Sequence, residues 1–309
     1  MKVAFVFPGQ GSQSVGMLDA WAGNDAVTET VAVAGKALGQ DLAGLIGQGP
    51  AEQLNLTTNT QPAMLTAGVA IYRAWLAAGG RRPDVVAGHS LGEYAALTAA
   101  DSLALEDAVR LVRVRADAMQ AAVPVGTGAM AAILGLDDDT VKAACAQAAQ
   151  GEIVEAVNFN APAQVVIAGH KAAVERACDA AKAAGAKRAL LLPVSAPFHS
   201  SLLRPAADVL SVALGEVAVS APTISVINNV DVAVVSEPDG IRDALVRQAW
   251  HPVRWVETLR AMKEQGVTHV VECGPGKVLA GLTRRIDSEL TGLAITDPAS
   301  LESALTALA

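Results

Sequence analysis

Aromatic residues are scarce in this 309-residue chain, at 3% of the total, whereas hydrophobic residues as a whole reach 52%. The core must therefore be filled by Ala, Val and Leu, a set that suits helices packed on a parallel sheet. Cysteine is scarce as well. Cys145, Cys178 and Cys273 are odd in number and widely spaced, with no CxxC or Cys/His ligand pattern. That argues against a disulfide framework or a zinc site and leaves buried free thiols. Basic residues are the minority charge, 23 Lys and Arg against 31 Asp and Glu, for a net charge of −8. A nucleic acid or an anionic membrane would need a basic face, so neither is expected as a partner. Long apolar runs are missing too. The run from Val3 stops at Pro8, too short for a signal peptide or a membrane span. The uncharged stretch from Ala118 to Leu136 is broken by Pro124, Gly126, Gly128 and Gly135, and reads as a helix end, a loop and a strand. The expected location is the cytoplasm.

At roughly 150 residues per domain, the length allows one large domain with an elaboration, or two domains. The patterning favours an α/β fold. Val3 to Phe7 is strand-like and ends in Pro8-Gly9-Gln10-Gly11-Ser12. Leu65, Val69, Tyr72 and Leu76 recur at helical spacing and predict a helix from about Pro62 to Ala78. Asp84 to Gly88 reads as a buried strand feeding a helix from Gly92 to Ala100. From about Val125 the texture becomes self-contained: strand Met130 to Leu136, helix Asp138 to Ala149, strand Glu152 to Asn158, strand Gln164 to Ala168, helix Lys171 to Ala184 and strand Lys187 to Leu192. This βαββαβ order is that of a ferredoxin-like subdomain. The expected division is a large parallel-sheet domain, 1–124 and 197–309, with the small subdomain, 125–196, inserted. A late strand, Val267 to Cys273, precedes Gly274-Pro275-Gly276.

Gly88-His89-Ser90-Leu91-Gly92 is a G-x-S-x-G lying between an apolar strand and a helix. Glycines on both sides permit a strained strand-to-helix turn that thrusts the serine outward, beside the N–H donors of a helix start. A serine hydroxyl needs a base, and histidine is the usual one. Of five histidines, His89 is too close in sequence to serve its neighbour, His170 opens a helix, His251 precedes Pro252 and His269 sits in a strand pattern. His199 remains, in the Pro-containing loop Ser195-Ala196-Pro197-Phe198-His199-Ser200, either as a base or as a capping or solvated histidine.

The helix from Leu105 to Ala122 carries three arginines. Arg110 shares its side with Glu106, Asp107, Arg113 and Asp117, a solvated face, but Arg115 falls among Ala108, Leu111, Ala118 and Met119 on the apolar stripe. An unpartnered buried cation costs ~3–5 kcal/mol, so Arg115 requires an anion. A protein carboxylate and a substrate carboxylate both qualify.

Taken together, Phe7-Pro8-Gly9-Gln10-Gly11-Ser12-Gln13, Gly88-His89-Ser90-Leu91-Gly92-Glu93, Arg115, Asn158-Phe159-Asn160, Phe198-His199, Gln248 and Gly274-Pro275-Gly276-Lys277 resemble the malonyl-CoA:acyl-carrier-protein transacylases, in order and over nearly the whole chain. The resemblance implies a free-standing, hydrolase-like α/β enzyme of fatty-acid synthesis. Malonyl-CoA and acyl carrier protein would be its substrates, with no metal or other cofactor. It implies acylation of Ser90, with His199 as general base and then acid, held by the backbone carbonyl of Gln248. Arg115 would grip the malonyl carboxylate, and the N–H groups of Gln10 and Leu91 would form the oxyanion hole. Asn160 and Phe198 would line the substrate site, and Phe198 matches the malonyl-selective form in related polyketide domains. Trp250-His251 depart from the family pattern. Gln248 itself falls on the face of Ile241, Ala244 and Leu245 and should point inward.

Two other functions fit parts of the sequence. A G-x-S-x-G hydrolase would pass the acyl group to water, and a silent carrier-docking subunit would form no adduct. A nucleotide-binding module fits poorly, since Gly9-Gln10-Gly11 lacks the third glycine and Gly274-Pro275-Gly276-Lys277 the spacing and Ser/Thr of a phosphate loop. Lys182, Lys187 and Arg188, or Arg284 and Arg285, offer candidate basic patches for an acidic carrier.

Overall fold

The computed structural model describes residues 1–194 and 196–309; Ser195, in the loop before His199, lies outside the described residues. The chain opens with β1 (Lys2–Phe7), whose apolar residues are buried on both faces, as in a strand covered by helices above and below. Then come α1 (Asp25–Leu38), capped by Asn24, α2 (Leu42–Gln48), capped by Asp41, and α3 (Ala51–Leu54). α4 (Thr57–Ala77) begins five residues before the start predicted at Pro62, which lies inside the helix. The prediction rested on the helical spacing of Leu65, Val69, Tyr72 and Leu76, which starts only after Pro62. The earlier turn escaped because it is polar yet buried: Thr60 Oγ1 donates to the carbonyls of Leu54 and Leu56, and Gln61 Nε2 to Thr57 Oγ1. It thus shows no apolar period.

Next are β2 (Val85–Gly88), α5 (Gly92–Ala99) and α6 (Leu105–Ala121), close to the predicted bounds. β3 (Gly128–Leu134), α7 (Asp138–Ala149), β4 (Val154–Ala161), β5 (Gln164–His170), α8 (Lys171–Ala183) and β6 (Arg188–Leu191) follow in the βαββαβ order. β3 and β4 are offset by about two residues from their predicted positions. β4 runs on to Ala161 because the hairpin is tight, Ala161 pairing with Gln164 across a loop of only Pro162 and Ala163, the latter at φ 58°, whereas β3 ends at Leu134 because Gly135 turns the chain at φ 94°. These strands form an antiparallel sheet ordered β4-β5-β3-β6. One face is sealed by α7 and α8 over Ile133, Val141, Ile167 and Val174.

The remaining elements are α9 (Arg204–Gly215), β7 (Ser225–Ile227), α10 (Pro238–Gln248), α11 (Trp255–Glu264), β8 (Val267–Cys273), α12 (Val278–Ile286), β9 (Thr291–Ile295) and α13 (Pro298–Ala307). The large sheet runs β7-β2-β1-β8-β9, every pair parallel. From β1 the chain passes to β2 on one side, while β8 and β9 join on the other. A crevice is expected at the carboxyl ends of the strands where the order diverges, next to β1 and β2. The cysteines are free and buried. No helix among the described residues is long and apolar enough to cross a membrane.

Candidate active site

The crevice is occupied by the turn from β2 into α5. A Cβ on Gly88 would lie 1.8 Å from the Gly92 backbone, and one on Gly92 would lie 2.2 Å from the carbonyl oxygen of Phe7 at the end of β1. Only glycine allows strand and helix to come this close. Ser90, between them, is held at φ 55°, a conformation L-residues avoid. Side chains clamp both of its peptide groups: its N–H donates to Asn229 Oδ1 (2.8 Å), and its carbonyl accepts from Gln248 Nε2 (2.8 Å). Asn229 also donates from Nδ2 to the Gly88 carbonyl at 2.7 Å.

The serine hydroxyl donates to His199 Nε2, 2.7 Å away, although the two residues are 109 positions apart. His199 is buried and, like Ser90, lies at positive φ, 64°. Its Nδ1 is 2.9 Å from the backbone carbonyl of Gln248. A carbonyl only accepts, so Nδ1 carries the proton and the Nε2 lone pair faces the serine, as a base requires. Burial, and then the Arg115 charge, pull the imidazole down from its ordinary 6.5 to about 3, so it stays neutral at physiological pH. His89 points elsewhere, with Nε2 donating to Asn160 Oδ1 at 2.8 Å.

Arg115 is 2% exposed, as its position on the apolar stripe of α6 demanded. Of the two anions that qualified, a protein carboxylate is not in contact with it. Two glutamines are: Nη1 donates to Gln61 Oε1 (2.6 Å) and Nη2 to Gln248 Oε1 (3.0 Å). Nη2 also donates to Ser90 Oγ at 3.1 Å. Gln61 and Gln248 thus each take one proton and Ser90 Oγ takes the second on Nη2, while the second Nη1 proton and the buried Nε–H have no partner among the described residues. Donors of a guanidinium not spent on protein acceptors are what a carboxylate accepts.

Ser90, His199, Arg115, Gln10, Leu91, Asn160 and Phe198 line one cleft of about 720 Å³, open to solvent. The large-sheet part supplies Gln10, Gln61, Ser90, Arg115 and His199, and β4 of the antiparallel sheet adds Asn158 and Asn160. The antiparallel sheet and the segment after it supply an apolar wall of Met130, Val166, Leu192 and Val194. The backbone N–H groups of Gln10 and Leu91 donate to no carbonyl among the described residues. The side chain of Gln10 is fixed by Thr57 Oγ1, which donates to its Oε1 at 2.9 Å. Trp250, one of the departures, packs under the guanidinium of Arg204, 4.3 Å from its ring centre. Among the described residues no group of three or more His, Cys, Asp or Glu is arranged to hold a metal ion.

The acyl transferase domain family matches residues 4–293. The chain belongs to that family. This acyltransferase is 58% identical over 305 residues to the malonyl CoA-acyl carrier protein transacylase of Escherichia coli strain K12, covering 98% of one and 99% of the other. It is 43% identical to the Bacillus subtilis strain 168 protein of that name, over 99% and 97% of the two chains. The solved acyl-carrier-protein S-malonyltransferase of Burkholderia pseudomallei 1710b superposes with TM-score 0.98 at 67% identity, covering 99% of this chain and 100% of that one. A malonyl-transacylase solved in complex with a type II PKS acyl-carrier protein matches with TM-score 0.98 at 53% identity, over 99% and 100%.

Gln61 and Asn229 escaped the sequence analysis, while Glu93 and Asn158, whose Oδ1 has no partner at the cleft wall, entered it only as motif members with no role. Glu93 was visible as the lone carboxylate of the apolar helix Gly92–Ala99, and Gln61 as the residue just before a proline. The candidate basic residues Lys182, Lys187, Arg188, Arg284 and Arg285 are all exposed.

Proposed function

We propose that the enzyme transfers a malonyl group from malonyl-CoA to the phosphopantetheine thiol of acyl carrier protein, through an ester on Ser90, in the cytoplasm and in fatty acid biosynthesis. Ser90 Oγ attacks the thioester carbonyl while His199 Nε2 takes its proton. The oxyanion is received by the N–H groups of Gln10 and Leu91, each such donor being worth ~10² to 10³ in rate. The C–S bond breaks and His199 returns the proton to the coenzyme A thiolate. In the second half the carrier thiol gives its proton to His199, its sulfur attacks the ester, and Ser90 leaves with the proton restored. Gln248 replaces the usual carboxylate partner of the histidine by a backbone carbonyl, and Asn160 and Phe198 bound the acyl chamber. Both reacting bonds are thioesters, so the exchange runs close to equilibrium and calls for no further cofactor.

One observation carries the malonyl assignment. Gln61 and Gln248 leave Arg115 with unspent donors, Nη2 donates to the Ser90 hydroxyl, and no protein carboxylate is in contact with the guanidinium. An acyl group whose far end is a carboxylate takes up those donors, whereas acetyl leaves a desolvated cation unpaired. The names of the relatives and the full-length match support the same reading. The division into 1–124 with 197–309 and an inserted 125–196 accounts for the cleft as the seam between the two parts. The test is intact mass after incubation with malonyl-CoA. The expected result is a malonyl adduct absent from Ser90→Ala and discharged by holo acyl carrier protein; an adduct lost to water at the same rate without the carrier would make the protein a hydrolase.

A further inference from the structure

Glu93 belongs to the motif around Ser90 but has no task in the reaction above. It is 2% exposed on α5, and its Oε2 accepts from Gln248 Nε2 and from the Asn229 N–H, both at 3.0 Å. The far end of that Gln248 amide, Oε1, accepts from Arg115 Nη2. One amide therefore separates a buried carboxyl from the buried guanidinium. Its orientation is dictated at both ends, since a flipped amide would turn N–H toward the cation and C=O toward the carboxylate. Glu93 Oε1 accepts no hydrogen bond from any described residue and is the oxygen free to carry a proton. The groups facing Glu93 are Tyr94 on its own helix, Arg115 from α6, the amides of Asn228, Asn229 and Gln248, and Asp231, which is itself paired with Arg247.

With His199 neutral, ionised Glu93 and Arg115 sum to zero. A carboxylate docked on Arg115 adds a net negative charge to a buried site, which a neighbouring carboxyl relieves by taking up a proton. We infer that Glu93 is the resting counter-charge of Arg115 and that docking of the malonyl carboxylate displaces it from that role by driving proton uptake onto Glu93. The inference rests on the reading of Arg115 given above. Burial already raises the Glu93 carboxyl to about 7, so the second anion acts on a group poised to lose its charge near neutrality. The covalent step is itself proton-neutral, the serine proton leaving on coenzyme A, so any uptake reports the linked site. Glu93 is thereby a residue that sets specificity: a carboxylate-bearing acyl group binds with a proton and acetyl binds without one.

Calorimetry of acylation in buffers of different ionisation enthalpy measures this in the wild-type enzyme. Malonyl-CoA should show proton uptake that grows between about pH 6 and pH 8, and acetyl-CoA none. The malonyl-CoA KM should rise over the same window, up to about tenfold for each unit by which docking raises the Glu93 pKa, and Glu93→Gln should abolish both the uptake and the rise. Equal uptake with both thioesters, or malonylation without uptake, overturns the inference, as does uptake that persists in Glu93→Gln. Should that variant not fold, the wild-type comparison alone decides. Failure to form any adduct on Ser90 would instead sink the functional reading, so the two failures are distinguishable.

Discussion

Replacing Arg115 by alanine separates the acyl carboxylate from every other feature of the substrate. Two charge-assisted hydrogen bonds are lost for malonyl, each worth ~1.5–3 kcal/mol. The sum, about 3–6 kcal/mol, corresponds to roughly 10²- to 10⁴-fold in kcat/KM. Acetyl loses only the contact between Nη2 and Ser90 Oγ, a change of about tenfold or less. Stability suffers separately, because the Gln61 and Gln248 carbonyls lose their donor, at ~1–3 kcal/mol for each acceptor left dry. The melting temperature registers that loss and kcat/KM does not. The assay is stopped-flow or mass-resolved acylation with malonyl-CoA and acetyl-CoA in parallel. If both thioesters lose kcat/KM by the same factor, Arg115 is a structural cation and the selectivity argument fails.

At saturating malonyl-CoA, the acylation rate should stay level as pH falls through 6.5, because burial keeps His199 neutral down to about 3; an acid limb near 6.5 would contradict the geometry. In Arg115→Ala, where the second cause of that depression is gone, the limb should move upward. Glu272 on β8 is fully buried, accepts from the Ala280 N–H at 2.8 Å, and is raised by burial to about 7. The folded state thus holds this proton more tightly than the unfolded chain, and stability is lost as pH rises from about 4.5 through 7. Denaturant titrations should show Glu272→Gln gaining up to roughly 3 kcal/mol on the wild type above pH 8 and nothing below pH 4.5; a pH-independent difference would refute this. Gly92→Ala forces a Cβ against the Phe7 carbonyl and should cost about 2–3 kcal/mol or prevent folding, read from the denaturation midpoint.

The parts of this molecule that were legible in advance share a local cause. α7 and α8 match their predicted spans closely because apolar residues at helical spacing meet clear starts, and Gly88, Ser90 and Gly92 announce the turn because its sterics are confined to five residues. Arg115 was legible because a permanent cation on an apolar stripe conflicts with its own helix. What that conflict could not reveal is its resolution. The partners of Arg115 are uncharged and lie 54 and 133 positions away on α4 and α10, and a glutamine on a buried helix face looks the same in sequence whether it satisfies an arginine or merely fills space. The partners of Asn229 and Glu93 were hidden for the same reason: each acts through a contact that closes only when β2, α5, α10 and the segment after β7 are assembled. These neutral partners leave the guanidinium charge largely uncompensated by contact, and that makes it available to a ligand. Had evolution placed Asp at 61 or Glu at 248, the internal ion pair would have satisfied the burial argument equally well and used up those donors. The choice of amides over carboxylates at two remote positions is therefore what turns a buried structural arginine into a binding group.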